Sequence, residues 1–106
     1  MAEPTLEEVF GTGTTQTSTT ITILKSNLDI TAAADNRAES LFAGIVKKAS
    51  GKLSVASRNE NLEQNIAIEQ GFPSTAFRGQ TPYDQLQLNV TFQKLSPVTS
   101  IDPDNY

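Results

Sequence analysis

Acid–base chemistry in this sequence would fall to its carboxylates, because the chain contains neither histidine nor cysteine. Without histidine there is no Ser-His-Asp triad, none of the usual catalytic zinc sites, and not the commonest general base near neutral pH. Without cysteine there is no thiol nucleophile, no thiolate metal site and no disulfide framework. The acids that remain are scattered. Glu7 and Glu8 belong to the N-terminal stretch, Glu39 to a helix start, and Glu60 and Glu63 to a polar run. Two acids working across a glycosidic bond need a cleft between them, and 106 residues leave little room for one. Asp102-Pro103-Asp104 could face a hard cation, but Ca²⁺ takes 6–8 oxygens from an ordered loop, so the stretch reads as a solvated acidic tail. Gly11-Thr12-Gly13-Thr14 has half the composition of a phosphate loop without its lysine or its preceding buried strand. Lys47, Lys48 and Lys52 could attract an anion, yet the dipole at a helix C-terminus already accounts for them. No catalytic residue, cofactor or metal site is expected, and the chain is not expected to be an enzyme.

Binding is a different matter. The stretch GFPSTAFRGQTPY, residues 71–83, combines Phe72, Phe77 and Tyr83 with Arg78 and two glycines. Aromatic residues with arginine are the usual composition of interface hot spots. The plainer alternative is that Phe72 and Phe77 close the end of a core short of large residues. A second candidate is PTLEEVF, residues 4–10, a helix of at most two turns with Leu6, Val9 and Phe10 on one face. It is too short to be stable alone, so it docks on its own subunit or on a neighbour, unless it is simply a frayed end. These seven side chains form the expected partner interface.

The elements that would position them centre on NRAESLFAGIVKKASG. Ala38, Leu41, Phe42, Ile45, Val46 and Ala49 form one stripe of a helix over about 36–49. Asn36 is the expected N-cap, Glu39 completes a capping box, and Gly51 takes the left-handed position beyond the end. Residues 11–20, GTGTTQTSTT, carry no apolar side chain and read as a flexible or extended connector. Their threonines can join a sheet where an edge is offered. Strands are expected over residues 19–24, 52–57, 64–70 and 85–93, with a short edge strand at 75–78 and turns at 71–74 and 79–82. The last strand alternates strictly: Leu86, Leu88, Val90 and Phe92 against Gln87, Asn89 and Thr91. Such a period implies one buried and one wet face. The sum is an α+β domain over residues 19–95, a mainly antiparallel sheet of four to five strands with one helix on a face. An extended N-terminal arm, 1–18, precedes it and an irregular exposed tail, 96–106, follows.

Composition bounds the partners. Apolar residues make up 37% of the chain and tryptophan is absent, so the core is expected to be small. A net charge of −4 argues for solubility and against nucleic acid, which needs a basic face. No apolar run approaches the ~20 residues of a membrane span. MAEPTLEEVF lacks the basic-then-apolar layout of a signal peptide, so the chain is expected to be made in a cytoplasm. Asn89-Val90-Thr91 matches a glycosylation sequon that would then be incidental.

Three stretches, TTITILKSNL, NRAESLFAGIVKKA and IAIEQGFPSTAFRGQTPYDQLQLNVTFQKL, resemble small virion proteins of tailed bacteriophages, including those that infect cyanobacteria. They cover about two thirds of the chain. The resemblance implies a capsid cement, head–tail joining or tail and baseplate subunit, located in the virion and partnered by copies of itself and other structural proteins. It transfers no site residues. Two competing classes stand beside it: a monomeric peptide- or carbohydrate-binding adaptor using residues 71–83, and a carboxylate enzyme.

Overall fold

The computed structural model describes residues 2–94 and 100–106. In chain order the elements are α1 (Leu6–Phe10), β1 (Thr15–Gln16), β2 (Ile21–Thr22), a 3₁₀ turn (Lys25–Asn27), α2 (Ala38–Lys52), α3 (Val55–Glu60), β3 (Ile66–Gln70), β4 (Ser74–Arg78), β5 (Thr81–Gln85), β6 (Leu88–Phe92) and a 3₁₀ turn (Pro103–Asn105). This is an α+β fold with one principal helix and antiparallel strands. The strands pair as three two-stranded ribbons, β1–β2, β3–β6 and β4–β5.

The N-terminal stretch is not an extended arm. Thr5 and Glu8 form a reciprocal capping box that starts α1, and α1 lies along α2 with Glu8 reaching Lys52 at 3.0 Å. Of the two destinations the sequence allowed, the helix takes its own subunit. The glycine-threonine connector is fastened as well. Gly11 has φ +106°, a conformation L side chains rarely adopt, and the Asn27 side chain fills the space where its Cβ would be. Asn27 Nδ2 donates to the Thr12 carbonyl at 2.8 Å, and the buried Thr14 hydroxyl donates to the Gly11 carbonyl at 2.7 Å. Thr15 and Gln16 then pair with Thr22 and Ile21, so the edge that draws in the threonine run is its own β2.

Both ends of α2 differ from expectation. Asn36 is not its cap; its side chain accepts from the Ala33 N–H and donates to the Thr31 carbonyl, closing the preceding loop. The cap is Arg37, which makes no side-chain cap bond, and Glu39 sits beside Arg37 instead. An asparagine with two loop groups in reach satisfies both rather than one helix N–H. At the other end the helix runs through Gly51 to Lys52 and stops at Leu53. The stripe is also rotated: Gly44 and Ala49 are buried, Leu41, Ile45 and Val46 half-buried, and Phe42 is exposed. Gly44 lies close against Leu28, which is buried on the loop before the helix.

The expected strand at 52–57 is helical. Ser54 Oγ accepts from the Ser57 N–H and starts α3, a local N-cap that outweighs the β-leaning Val55. One sheet-like bond survives, from the Ile68 N–H to the Leu53 carbonyl at 2.7 Å, and it ties β3 to the body. Glu60, placed by sequence in a polar run, is therefore helical, as is Arg58. The expected strands at 64–70 and 75–78 are present as β3 and β4, whereas the stretch from 79 onward is a hairpin turn followed by β5. The expected strand at 85–93 is β6 preceded by a break at residues 86 and 87. The tail ends in an ordered turn, with Asp102 accepting from the Asp104 N–H, and the Tyr106 ring meets Phe92 edge-on at 5.3 Å. Residues 95–99, part of the expected tail, lie outside the described residues.

The core is thin. Among the described residues the buried apolar side chains are Leu28, Ala49 and Ala67, and no large side chain is fully buried. The radius of gyration is 16.1 Å, against about 13 Å for a compact chain of this length.

Candidate interaction surface

Residues 65–93 form one long β-hairpin whose near half, β3–β6, leaves the body and whose far half, β4–β5, extends it. Gly79 and Gln80 make the tip, with Gly79 at φ +66° and Arg78 opposite Thr81, the pattern of a two-residue turn with glycine first. In the near half Ile66 faces Phe92, Ile68 faces Val90 and Gln70 faces Leu88. In the far half Ser74 faces Gln85 and Phe77 faces Pro82. Between them three residues, 71–73, stand opposite two, 86 and 87. That extra residue is a bulge, and Pro73 within it has no N–H to offer a ladder.

Alternation decides which side of the near ribbon meets the body. Ala67 is buried, its neighbour across the ladder is Thr91, and the Arg58 guanidinium donates to the Thr91 hydroxyl at 2.7 Å. The polar side of β6 therefore turns toward α3. The apolar side, Ile66 and Ile68 with Leu88, Val90 and Phe92, turns away from it. Leu88 and Val90 are each 44% exposed. The alternation expected to mark a buried face here marks one covered only in part, because the single long helix packs chiefly on α1 and the Leu28 loop. Ile66 and Ile68 are half-buried and Phe92 meets Tyr106, while Leu88 and Val90 are exposed.

The expected interface residues divide into two groups. Leu6, Val9 and Phe10 are half-buried against the body; Val9 and Phe10, with Leu53, Ile66 and Tyr106, line an open hollow of ≈ 300 Å³. Phe77, Arg78 and Tyr83 lie on the far half and Phe72 in the bulge before it, with Phe72 91% and Phe77 69% exposed. They do not close a core. Arg78 rests over the Tyr83 ring at 5.1 Å, on one face of the β4–β5 ribbon. Phe77 pairs with Pro82 and so points to the opposite face, which separates it from the other two. Sequence reasoning missed Leu86, which is 79% exposed, and Leu88, Val90 and Phe92, by assigning their alternation to a core.

The groups weighed for chemistry are mostly tied to the framework. Glu7 accepts from the Gly13 N–H. Backbone bonding from Thr5, with the Lys52 ammonium beside it, holds the Glu8 carboxyl below its ordinary value. Lys47 pairs with Asp29 and holds that carboxyl low, so Lys47 and Lys52 are both engaged and the three lysines do not act as one anion site. The glycine-threonine loop wraps Asn27 rather than an open cradle. Among the described residues no three Asp or Glu side chains gather as a metal site, and no helix is long and apolar enough to cross a membrane.

No protein family matches this chain, and no curated protein or solved structure is detectably similar to it.

Proposed function

We propose that this chain is a non-enzymatic assembly subunit of a larger particle, docking through its projecting hairpin onto copies of itself and other structural proteins. One observation carries the reading. A folded monomer of this mass exposes roughly 5,800 Å², whereas this chain exposes 8226 Å². The excess exceeds the roughly 1,600 Å² that a standard stable interface buries on both partners together. The hairpin adds exposed apolar side chains to it: Phe72, Phe77, Leu86, Leu88 and Val90. Large exposed apolar patches mark protein or membrane contact sites. A virion of a tailed bacteriophage, as capsid cement, head–tail joint or tail and baseplate part, is the particle the sequence resemblance favours.

The adaptor reading draws less support, since Phe77 stands on the opposite ribbon face from Arg78 and Tyr83. Light-scattering mass across a concentration series tests the assembly reading. Mass should rise with concentration, and replacing Phe72, Phe77 and Leu86 together by serine should suppress the rise while circular dichroism stays unchanged. A monomer at every concentration that also decorates no cognate particle would exclude it.

A further inference from the structure

The return strand of the hairpin carries an unusual symmetry. Its inward ladder uses odd-numbered residues: the Gly71 N–H donates to the Gln87 carbonyl at 2.8 Å, and the Gln93 N–H to the Asn65 carbonyl at 2.9 Å. Antiparallel ladders alternate, so Leu88, Val90 and Phe92 aim their N–H and C=O groups outward, along an edge with no strand beside it among the described residues. Pro82, which has no N–H, sits at an even position and fits the same parity. Natural edges are usually guarded by charge, proline or a bulge. Residues 85–93, QLQLNVTFQ, have no charge, no proline and no glycine.

We infer that this edge pairs with the same edge of a second copy, antiparallel, about a two-fold axis passing between the two Asn89 residues. The proposal rests on the assembly reading above and names its first partner. Outward-facing groups bond only to outward-facing groups, so residue numbers across the junction must sum to an even number. Among those registers, the one summing to 178 sets Asp84 against Lys94 of the second copy at both ends. These are the only charges between residues 79 and 94. The same register matches every other pair. Leu86 meets Phe92, Leu88 meets Val90, Gln85 meets Gln93, Gln87 meets Thr91, and Asn89 meets itself. Shifting by two residues in one direction opposes Asp84 to Phe92, and in the other sets Lys94 against Leu86. Eleven residues at about 3.4 Å each give a junction of roughly 37 Å. It joins two ribbons into one four-stranded sheet with a continuous apolar face.

The absence of cysteine makes the register directly readable. Asn89→Cys places two thiols in a pair that makes no backbone bonds, with Cα atoms about 4.5 Å apart, inside disulfide range. Thr91→Cys puts its two thiols four residue steps apart, roughly 13 Å. Under air oxidation Asn89→Cys should collect as a covalent dimer at least ten times faster than Thr91→Cys. Lys94→Glu should weaken association of the full chain at least tenfold, and adding Asp84→Lys should restore it. Equal crosslinking of the two cysteine variants, or association indifferent to Lys94→Glu, overturns this junction while leaving assembly through another surface intact. A wild-type chain that stays monomeric at every concentration and coats no particle removes both readings.

Discussion

Gly44 lies against Leu28 so closely that a Cβ built on it would stand 2.7 Å from the Leu28 carbonyl oxygen and 2.8 Å from its Cβ. Helix propensity alone favours alanine at such a position by about 1 kcal/mol. Contact below 3 Å with a backbone atom opposes it, and overpacking costs about 1–3 kcal/mol. The steric term wins, because the obstacle is main chain and cannot rotate away. Gly44→Ala should therefore lower stability by about 1–2 kcal/mol in urea unfolding.

Gln64 is buried and bridges two elements. Its Nε2 donates to the Ser54 carbonyl at 3.1 Å and the Ile66 carbonyl at 2.9 Å, joining the start of α3 to the start of β3. Its Oε1 is buried with no hydrogen-bond partner among the described residues. Gln64→Leu keeps the volume but leaves both carbonyls without this donor, a loss of about 1–3 kcal/mol. Hydrogen exchange should quicken at Ile68, whose N–H bonds the neighbouring Leu53 carbonyl.

The Glu8 carboxyl is held below its ordinary 4.5 by the Thr5 backbone N–H, the Lys52 ammonium and the Thr5 hydroxyl. A depressed acid stabilises the fold above its unfolded value and loses that contribution as pH falls through the folded one. The margin of wild type over Glu8→Gln in melting temperature should be constant from pH 7 to about 5 and vanish on further acidification. Both partners are partly exposed, so added salt should shrink the margin.

Removing residues 1–14 should destabilise the fold. Leu6, Val9 and Phe10 are half-buried, and Thr14 is buried. Losing that contact surface costs a few kcal/mol, a large share of the 5–15 kcal/mol typical of a domain. Thermal unfolding of the truncated chain should begin well below that of the full chain. Unchanged melting would mean that α1 contributes nothing to α2.

Periodicity made the class and several elements legible. The spacing from Leu41 to Ala49 marks a helix, and the alternations at Ile66–Ile68 and Leu88–Phe92 mark β3 and β6. What periodicity does not report is which side of a ribbon faces the body. That was decided by Ala67, small enough to seat under the helices, and by Arg58 reaching Thr91. Short polar side chains misled for another reason. Asn36 and Ser54 each had competing backbone groups within reach, and one residue's choice moved a helix start or turned an expected strand into α3. The candidate surface was half legible: Phe72, Phe77, Arg78 and Tyr83 stood out by type, while Leu86, Leu88 and Val90 were concealed by looking like core.

The bulge at residues 71–73 also bears on how the hairpin would carry load. Ladder bonds run across the strands, so a pull along the hairpin axis on one strand strains many of them together. A force that spreads the two strands at the tip meets them singly. The ladder is interrupted where three residues face two, and such peeling would reach this interruption after β4–β5 opens and before β3–β6 begins to part. The far half can then yield as a mechanical fuse, while the near half keeps its grip on Leu53 and the body.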